Sequence, residues 1–227
     1  MNPSVFAVPG KALLGLSMVV LLAWGISNPS RARLPAPDPI VDARAAKTPG
    51  LQTAVLAGGC FWGIEAVFEH VKGVKDVVSG YAGGSAGSAH YETVGSGSTG
   101  HAESVRIRFD PSVLSYGQLL KVFFSVAHDP TQLDRQGPDR GSQYRSEIFY
   151  GNAEQQRVAT AYVAQMTRAG TWGSKPIVTR IEPLKAFYPA ESYHQDFARL
   201  NPTHPYIVYN DAPKVQHLKQ RFPALYR

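Results

Sequence analysis

Residues 53–63 read TAVLAGGCFWG, and the fold is decided here. Residues 53–57 are a short apolar run that meets Gly58 and Gly59, the pattern of a buried strand ending in a tight turn. Directly afterwards Phe61, Ile64, Val67 and Phe68 recur at helical spacing and Gly73 closes the segment, so residues 61–70 read as a helix. Cys60 stands at the junction of strand turn and helix.

Working outward toward the C-terminus, residues 74–81 read as a strand and the Gly- and Ser-rich stretch to Gly100 as a long loop. Residues 104–109 read as a strand in which Val105, Ile107 and Phe109 alternate with Ser104, Arg106 and Arg108. Residues 115–126 are helical by pattern, residues 128–144 a loop, and residues 146–150 a fourth strand. The order strand, helix, strand, strand, helix, strand is a split β-α-β arrangement. It predicts an α+β fold: a two-layer, ferredoxin-like core with helices on one face of a mainly antiparallel sheet. A long extra helix over 152–169, capped by Asn152, follows. The remainder, with Pro176, Pro183, Pro189, Pro202, Pro205, Pro213 and Pro223, reads as an irregular wrap with short elements.

Toward the N-terminus, residues 12–26 carry no charge and follow Lys11, matching the apolar region of an export signal better than a full membrane span. Ser30 and Ala32 offer the small residues of a cleavage site, with Arg33 just beyond. Residues 1–32 are therefore expected to be a signal peptide or a membrane anchor, placing the domain on the periplasmic or extracellular side. Residues 33–50, with Pro35, Pro37, Pro39 and Pro49, read as a Pro/Ala-rich tether. Residues 51–227 form the expected single catalytic domain, and no internal repeat divides them.

Composition narrows the function classes. With 227 residues, 44% hydrophobic and 18% charged, the chain buries one substantial core. The net charge of +6 does not make a nucleic-acid binder, because the basic residues are scattered and Lys11, Arg31, Arg33 and Arg44 lie upstream of the domain. A single cysteine excludes an intramolecular disulfide, a four-thiolate zinc site and a Cys-x-x-Cys pair. No His-Glu-x-x-His occurs and the seven histidines miss zinc spacings, so no metal is expected. Gly95, Gly97 and Gly100 fit the dinucleotide fingerprint literally, but lead toward a strand where that fingerprint must open a helix. No coiled-coil pattern is present, and a monomer is expected.

A cysteine at the start of a helix points its sulfur toward unsatisfied N–H groups and the positive end of the dipole. Both favour thiolate, so Cys60 is expected to have a lowered pKa and to act as a nucleophile rather than as a small buried hydrophobe. Glu103 alone reads as a solvent-facing strand carboxylate, and Asp139 as a turn residue after Gly137 and Pro138.

The run Gly58-Gly59-Cys60-Phe61-Trp62-Gly63 resembles the signature of the peptide methionine sulfoxide reductase A family. Similar blocks follow in order: Gly100-His101-Ala102-Glu103, His128-Asp129-Pro130, Arg135-Gln136-Gly137, Asp139 with Gln143-Tyr144-Arg145-Ser146, and Ala190-Glu191-Ser192-Tyr193-His194. The resemblance implies that Cys60 attacks the sulfur of methionine sulfoxide and Glu103 supplies a proton. It implies that the hydroxyls of Tyr91 and Tyr144 hydrogen-bond the sulfoxide oxygen, that Phe61 and Trp62 wall the substrate methyl, and that Asp139 and His194 help bind substrate. Selectivity for the S epimer is likewise implied, with oxidised proteins and peptides as substrates and no bound cofactor. Family members commonly recycle through a second cysteine, which this chain lacks. Its reductant is therefore expected to be an external thiol, a thioredoxin-like protein or a small thiol of the glutathione type. Two other readings stay open on residues alone: a cysteine hydrolase using His101, His128 or His194 as base, and a binding module for oxidised methionine.

Overall fold

The computed structural model describes Met1, residues 35–43 and residues 50–227. Its elements in chain order are β1 (Gln52–Gly58), α1 (Phe61–Glu69), β2 (Val74–Ala82), α2 (Tyr91–Val94), β3 (Ala102–Phe109), α3 (Tyr116–Val122), β4 (Arg135–Gln136), β5 (Asp139–Arg140), β6 (Ser146–Tyr150), α4 (Ala153–Arg168), β7 (Arg180–Pro183), β8 (Phe187–Pro189), α5 (Phe197–Leu200) and α6 (Ala212–Arg221). Six strands form one sheet in the order β7-β6-β1-β3-β2-β8, while β4 and β5 make a separate small hairpin. The four strands read from the sequence are its centre, and all their pairings are antiparallel; only β7 runs parallel to its neighbour β6. The fold is α+β.

Strand alternation gives the sheet two unequal faces. Ala54, Leu56, Val105, Ile107, Phe109 and Ile148 point into the main core. They meet Ile64, Val67 and Phe68 of α1, Leu119 and Leu120 of α3, Val158 and Tyr162 of α4, and Leu218 of α6. The other face carries a smaller cluster, Val55, Ala57, Ala82, Ala102 and Phe149, covered by Leu184 and Phe187. Glu103 has the parity of Val105 and Ile107, so the strand aims it at the helix-bearing side.

Three expectations need correction. Residues 115–126 are not one regular helix: Ser115 caps α3 with a reciprocal Ser115–Gln118 capping box, and the chain then widens into a π turn over Phe123–Ala127. The C-terminal wrap contains a ten-residue helix, α6, where Pro213 sits in the first turn and so loses no helical hydrogen bond. Finally, the segment read as a free tether lies against α3 and α4 over residues 35–43. The Ala36 amide donates to Ser125 Oγ (2.9 Å), Tyr162 Oη to the Pro37 carbonyl (2.6 Å), and Gln165 both donates to the Asp38 carbonyl and accepts from the Ile40 amide. Asp42 accepts from the Gly117 amide (2.7 Å) and the Ser115 hydroxyl at the start of α3. Proline makes the segment extended, and its unpaired carbonyls then find donors on the helices.

Candidate active site

Cys60 is the N-cap of α1 and is 9% exposed. The two preceding glycines are required by space and by backbone angle. A Cβ on Gly58 would stand 2.9 Å from the His128 ring, and Gly59 has φ of +102° with Gln136 where its side chain would go. β1 and its turn thus deliver the sulfur to the start of α1 above the ends of β3 and β6.

Around it lies a cavity of about 200 Å³ lined by Cys60, Phe61, Trp62, Tyr91, Glu103, Asp139, Tyr144 and Tyr206. Seven of these eight residues were singled out in the sequence. Glu103, only 3% exposed, accepts a hydrogen bond from the Phe61 amide at 3.1 Å, which ties the carboxyl to the first turn of the helix that Cys60 caps. Among the described residues no cation pairs with it. Burial drives its pKa up to about 8, offset in part by the Phe61 N–H and reinforced by Asp139 and Asp211. Near neutrality Glu103 carries a proton, so the reading of a solvent-facing carboxylate is replaced by that of a buried acid.

Cys60 departs from the sequence expectation. Burial first, then the negative charges of Glu103 and Asp211, push its thiol well above the ordinary value. The backbone N–H of Trp62 and the Lys214 ammonium pull the other way and are outweighed. The helix N-terminus does act as expected, but desolvation is the larger effect, so the free protein holds Cys60 as a thiol.

The remaining residues come from separate elements. Tyr91 opens α2, where its amide donates to Glu191 Oε1 at 3.0 Å and Glu191 also accepts from Tyr81 Oη at 2.8 Å. Tyr144 follows Gly141 on a short turn fixed by Arg145, whose guanidinium donates to the carbonyls of Gly100, His101 and Ser142 and meets Glu147 at 2.5 Å. Both phenols are pushed up by burial and remain proton donors. Trp62 stacks on Phe197 with ring centres 3.7 Å apart, and its indole N–H donates to His194 Nδ1 at 3.2 Å. His194 does not line the cavity; it backs the wall, with ring centres 5.1 Å from Phe61 and 4.3 Å from Tyr91.

Sequence reading missed Tyr206, whose hydroxyl makes a very short hydrogen bond to Asp139 Oδ2, and with it Asp211 and Lys214. These residues sit in a region whose prolines hid α6, and only their clustered polarity (Tyr209, Asn210, Asp211, Lys214) was visible. Gln195 was also missed: its amide pairs with both backbone groups of Ser79 and anchors the Glu191–His194 turn to β2. The hydrolase reading loses its base, because none of the three histidines lines the cavity. His101 is committed to Gly84 and Ser85, and His128 bonds Ser146 and the Phe123 carbonyl with its pKa lowered by burial to about 3.

A buried thiol, a buried carboxyl and two phenols face one small aromatic cavity, an arrangement able to attack an electrophilic atom while protonating the oxygen it carries. The chain belongs to the peptide methionine sulfoxide reductase family, whose model matches residues 52–225. Peptide methionine sulfoxide reductase MsrA 2 of Mesorhizobium japonicum is 62% identical over 186 residues, covering 82% of this chain and 94% of the relative. The enzyme of the same name from Synechocystis is 52% identical over 188 residues, covering 82% and 87%. Among solved structures, Mxr1 from Saccharomyces cerevisiae in reduced form superposes with a TM-score of 0.60 at 34% identity, over 70% of this chain and 92% of that one. Methionine sulfoxide reductase A of Corynebacterium diphtheriae gives 0.59 at 34%, over 75% and 85%. The protein is an enzyme that reduces methionine sulfoxide to methionine.

Proposed function

We propose that Cys60 is the nucleophile, Glu103 the general acid, and Tyr91 and Tyr144 the donors to the sulfoxide oxygen. The observation that carries this reading is Glu103, buried without a cation and tied to the first turn of α1 beside Cys60. A sulfoxide sulfur becomes electrophilic as its oxygen takes up a proton, so a neutral acid must lie on the oxygen side of the cavity. Phe61 and Trp62 receive the methyl group against aromatic faces, with His194 bracing them and Asp139, held by Tyr206, closing the far side.

Attack forms a bond from the Cys60 sulfur to the substrate sulfur; the hydroxyl then passes to Cys60 as that S–S bond and the substrate S–O bond break, releasing the sulfide. The oxygen takes the Glu103 proton, and the proton of the thiol restores the carboxyl. Thiol and sulfoxide thus become sulfenic acid and sulfide with no net proton released. A first external thiol then condenses with the sulfenic acid, losing water, and a second displaces Cys60 from the mixed disulfide. No bound cofactor enters this cycle. A thioredoxin-like protein and a glutathione-type thiol both fit the chemistry, with oxidised proteins exposed outside the cytoplasm as substrate.

The order β6-β1-β3-β2 supports the ferredoxin-like description of the core. Export or anchoring by residues 1–32 concerns positions outside the described residues; among those described, no helix is long and apolar enough to cross a membrane. Cell fractionation tests it, and a purely cytosolic pool rejects it. The enzymatic reading is tested by turnover on each epimer of a methionine sulfoxide peptide with dithiothreitol. The expected result is reduction of the S epimer only, one disulfide formed per methionine and no turnover by Cys60→Ser. A folded wild type that binds sulfoxide peptides without turnover would establish the binding-module alternative.

A further inference from the structure

Gly63 carries no side chain because the space above it is taken. A Cβ there would collide with Asp211 Oδ1 and stand 2.6 Å from Lys214 Nζ. Asp211 is fully buried and meets Lys214 at 3.0 Å across the junction of a π turn (Ile207–Asp211) with α6, and its second oxygen has no hydrogen-bond partner. An ion pair is therefore set over the first turn of the helix whose N-cap is Cys60. As a stabilising device this is a poor choice: an ammonium at a helix N-terminus opposes the dipole, and a buried pair seldom recovers its desolvation cost.

We propose that Asp211 and Lys214 are positioning residues for the charge on Cys60: the Lys214 ammonium stabilises the sulfur as it becomes thiolate, and Asp211, whose opposing charge is the larger at the sulfur, holds that ammonium over the first turn of α1. The inference rests on Cys60 being the nucleophile. The other groups facing the sulfur are Glu103 from β3, Asp139 from β5, Tyr91 from α2, and Tyr144 and Tyr206, all of which are neutral or become negative on ionising. His128 is kept neutral by burial, so the favourable charge comes from Lys214, which acts on Cys60, Asp139 and His128 alike. Lys214 serves the reductive half of the cycle as well. When the second external thiolate bonds to the outer sulfur of the mixed disulfide, the electron pair of the broken bond stays on Cys60, and the same ammonium favours its departure.

The test is the pH dependence of Cys60 alkylation by iodoacetamide in the full chain, which needs no sulfoxide turnover. Lys214→Met is expected to slow alkylation near pH 8 by about fivefold to tenfold, corresponding to an upward shift of about one pH unit. Asp211→Asn is expected to speed it by a comparable factor, and Lys214→Arg to restore the rate to within about twofold of wild type. Equal rates for Lys214→Met and wild type would overturn the proposal, as would Lys214→Met and Asp211→Asn moving the rate in the same direction. Should Asp211→Asn fail to fold by circular dichroism, the contrast between Lys214→Met and Lys214→Arg decides alone. A wild type that shows this alkylation pattern and yet reduces no sulfoxide would reject the enzymatic reading while leaving the charge pair in place.

Discussion

Two strand glutamates, Glu103 on β3 and Glu147 on β6, are each 3% exposed, and the fold treats them oppositely. Glu147 is met by Arg145 at 2.5 Å, and that guanidinium also ties three loop carbonyls beneath Tyr144. Burial lifts its pKa while Arg145 pulls it back. Glu103 receives one backbone N–H and, among the described residues, no cation, and rises to about 8. A carboxylate that organises structure is given its counter-charge, whereas the one proposed as general acid has none among the described residues. The molecule carries the stability penalty of an unpaired buried acid at the cavity where the proposed mechanism needs a proton.

The largest effect that would sharpen this contrast is on rate. Glu103→Gln keeps the shape and removes the acid, and should lower kcat/KM for sulfoxide reduction by about a thousandfold, whereas Glu147→Gln should leave the pH profile of the reaction unchanged. On stability the order reverses. Glu147→Gln leaves the Arg145 guanidinium with its carbonyl partners but without its counter-charge, and should destabilise the fold by about 3 kcal/mol in urea titration.

Glu103→Gln should instead stabilise it. Because the folded pKa, about 8, lies above the ordinary 4.5, the wild type loses stability as pH rises from about 4.5 through 8, while the unfolded chain ionises freely. The variant should therefore be more stable by about 2 kcal/mol near pH 7, and the difference should vanish near pH 4, as thermal melts at the two pH values would register. If it is equally stabilising at both, the gain is packing rather than proton binding. A smaller loss, about tenfold in kcat/KM, is expected for Tyr91→Phe, which removes one of the two phenols proposed to hydrogen-bond the sulfoxide oxygen. Smallest is Asp42→Ala, which uncouples the 35–43 segment from the start of α3 and should cost about 1 kcal/mol of stability with turnover intact.

What the sequence disclosed was governed by local chemistry. The apolar run, the two glycines and the helical spacing of Phe61, Ile64, Val67 and Phe68 place β1, its turn and α1 within a residue of their observed bounds. The alternation around Val105 was legible too, and Glu103 shares its parity; reading that parity one step further would have buried the carboxyl. The ionisation of Cys60 was not legible, because it depends on how much protein closes over the sulfur, and the local helix N-terminus is the weaker influence. Pro213 and the prolines of residues 35–43 misled for a common reason. Proline forbids the interior of regular elements but says nothing about a first helical turn, or about an extended segment whose carbonyls find donors on α4. Tyr206, Asp211 and Lys214 reach the site from about a hundred residues beyond β3, a distance at which no spacing rule operates.

The central claim is that Glu103 stays protonated at neutral pH in the resting enzyme. Infrared difference spectra of wild type against Glu103→Gln, recorded across pH, report its carboxyl C=O stretch directly. The account predicts a protonated carboxyl band at neutral pH that titrates away with a midpoint near 8. A Glu103 already fully ionised at about pH 6, as an ordinary exposed carboxylate would be, contradicts it.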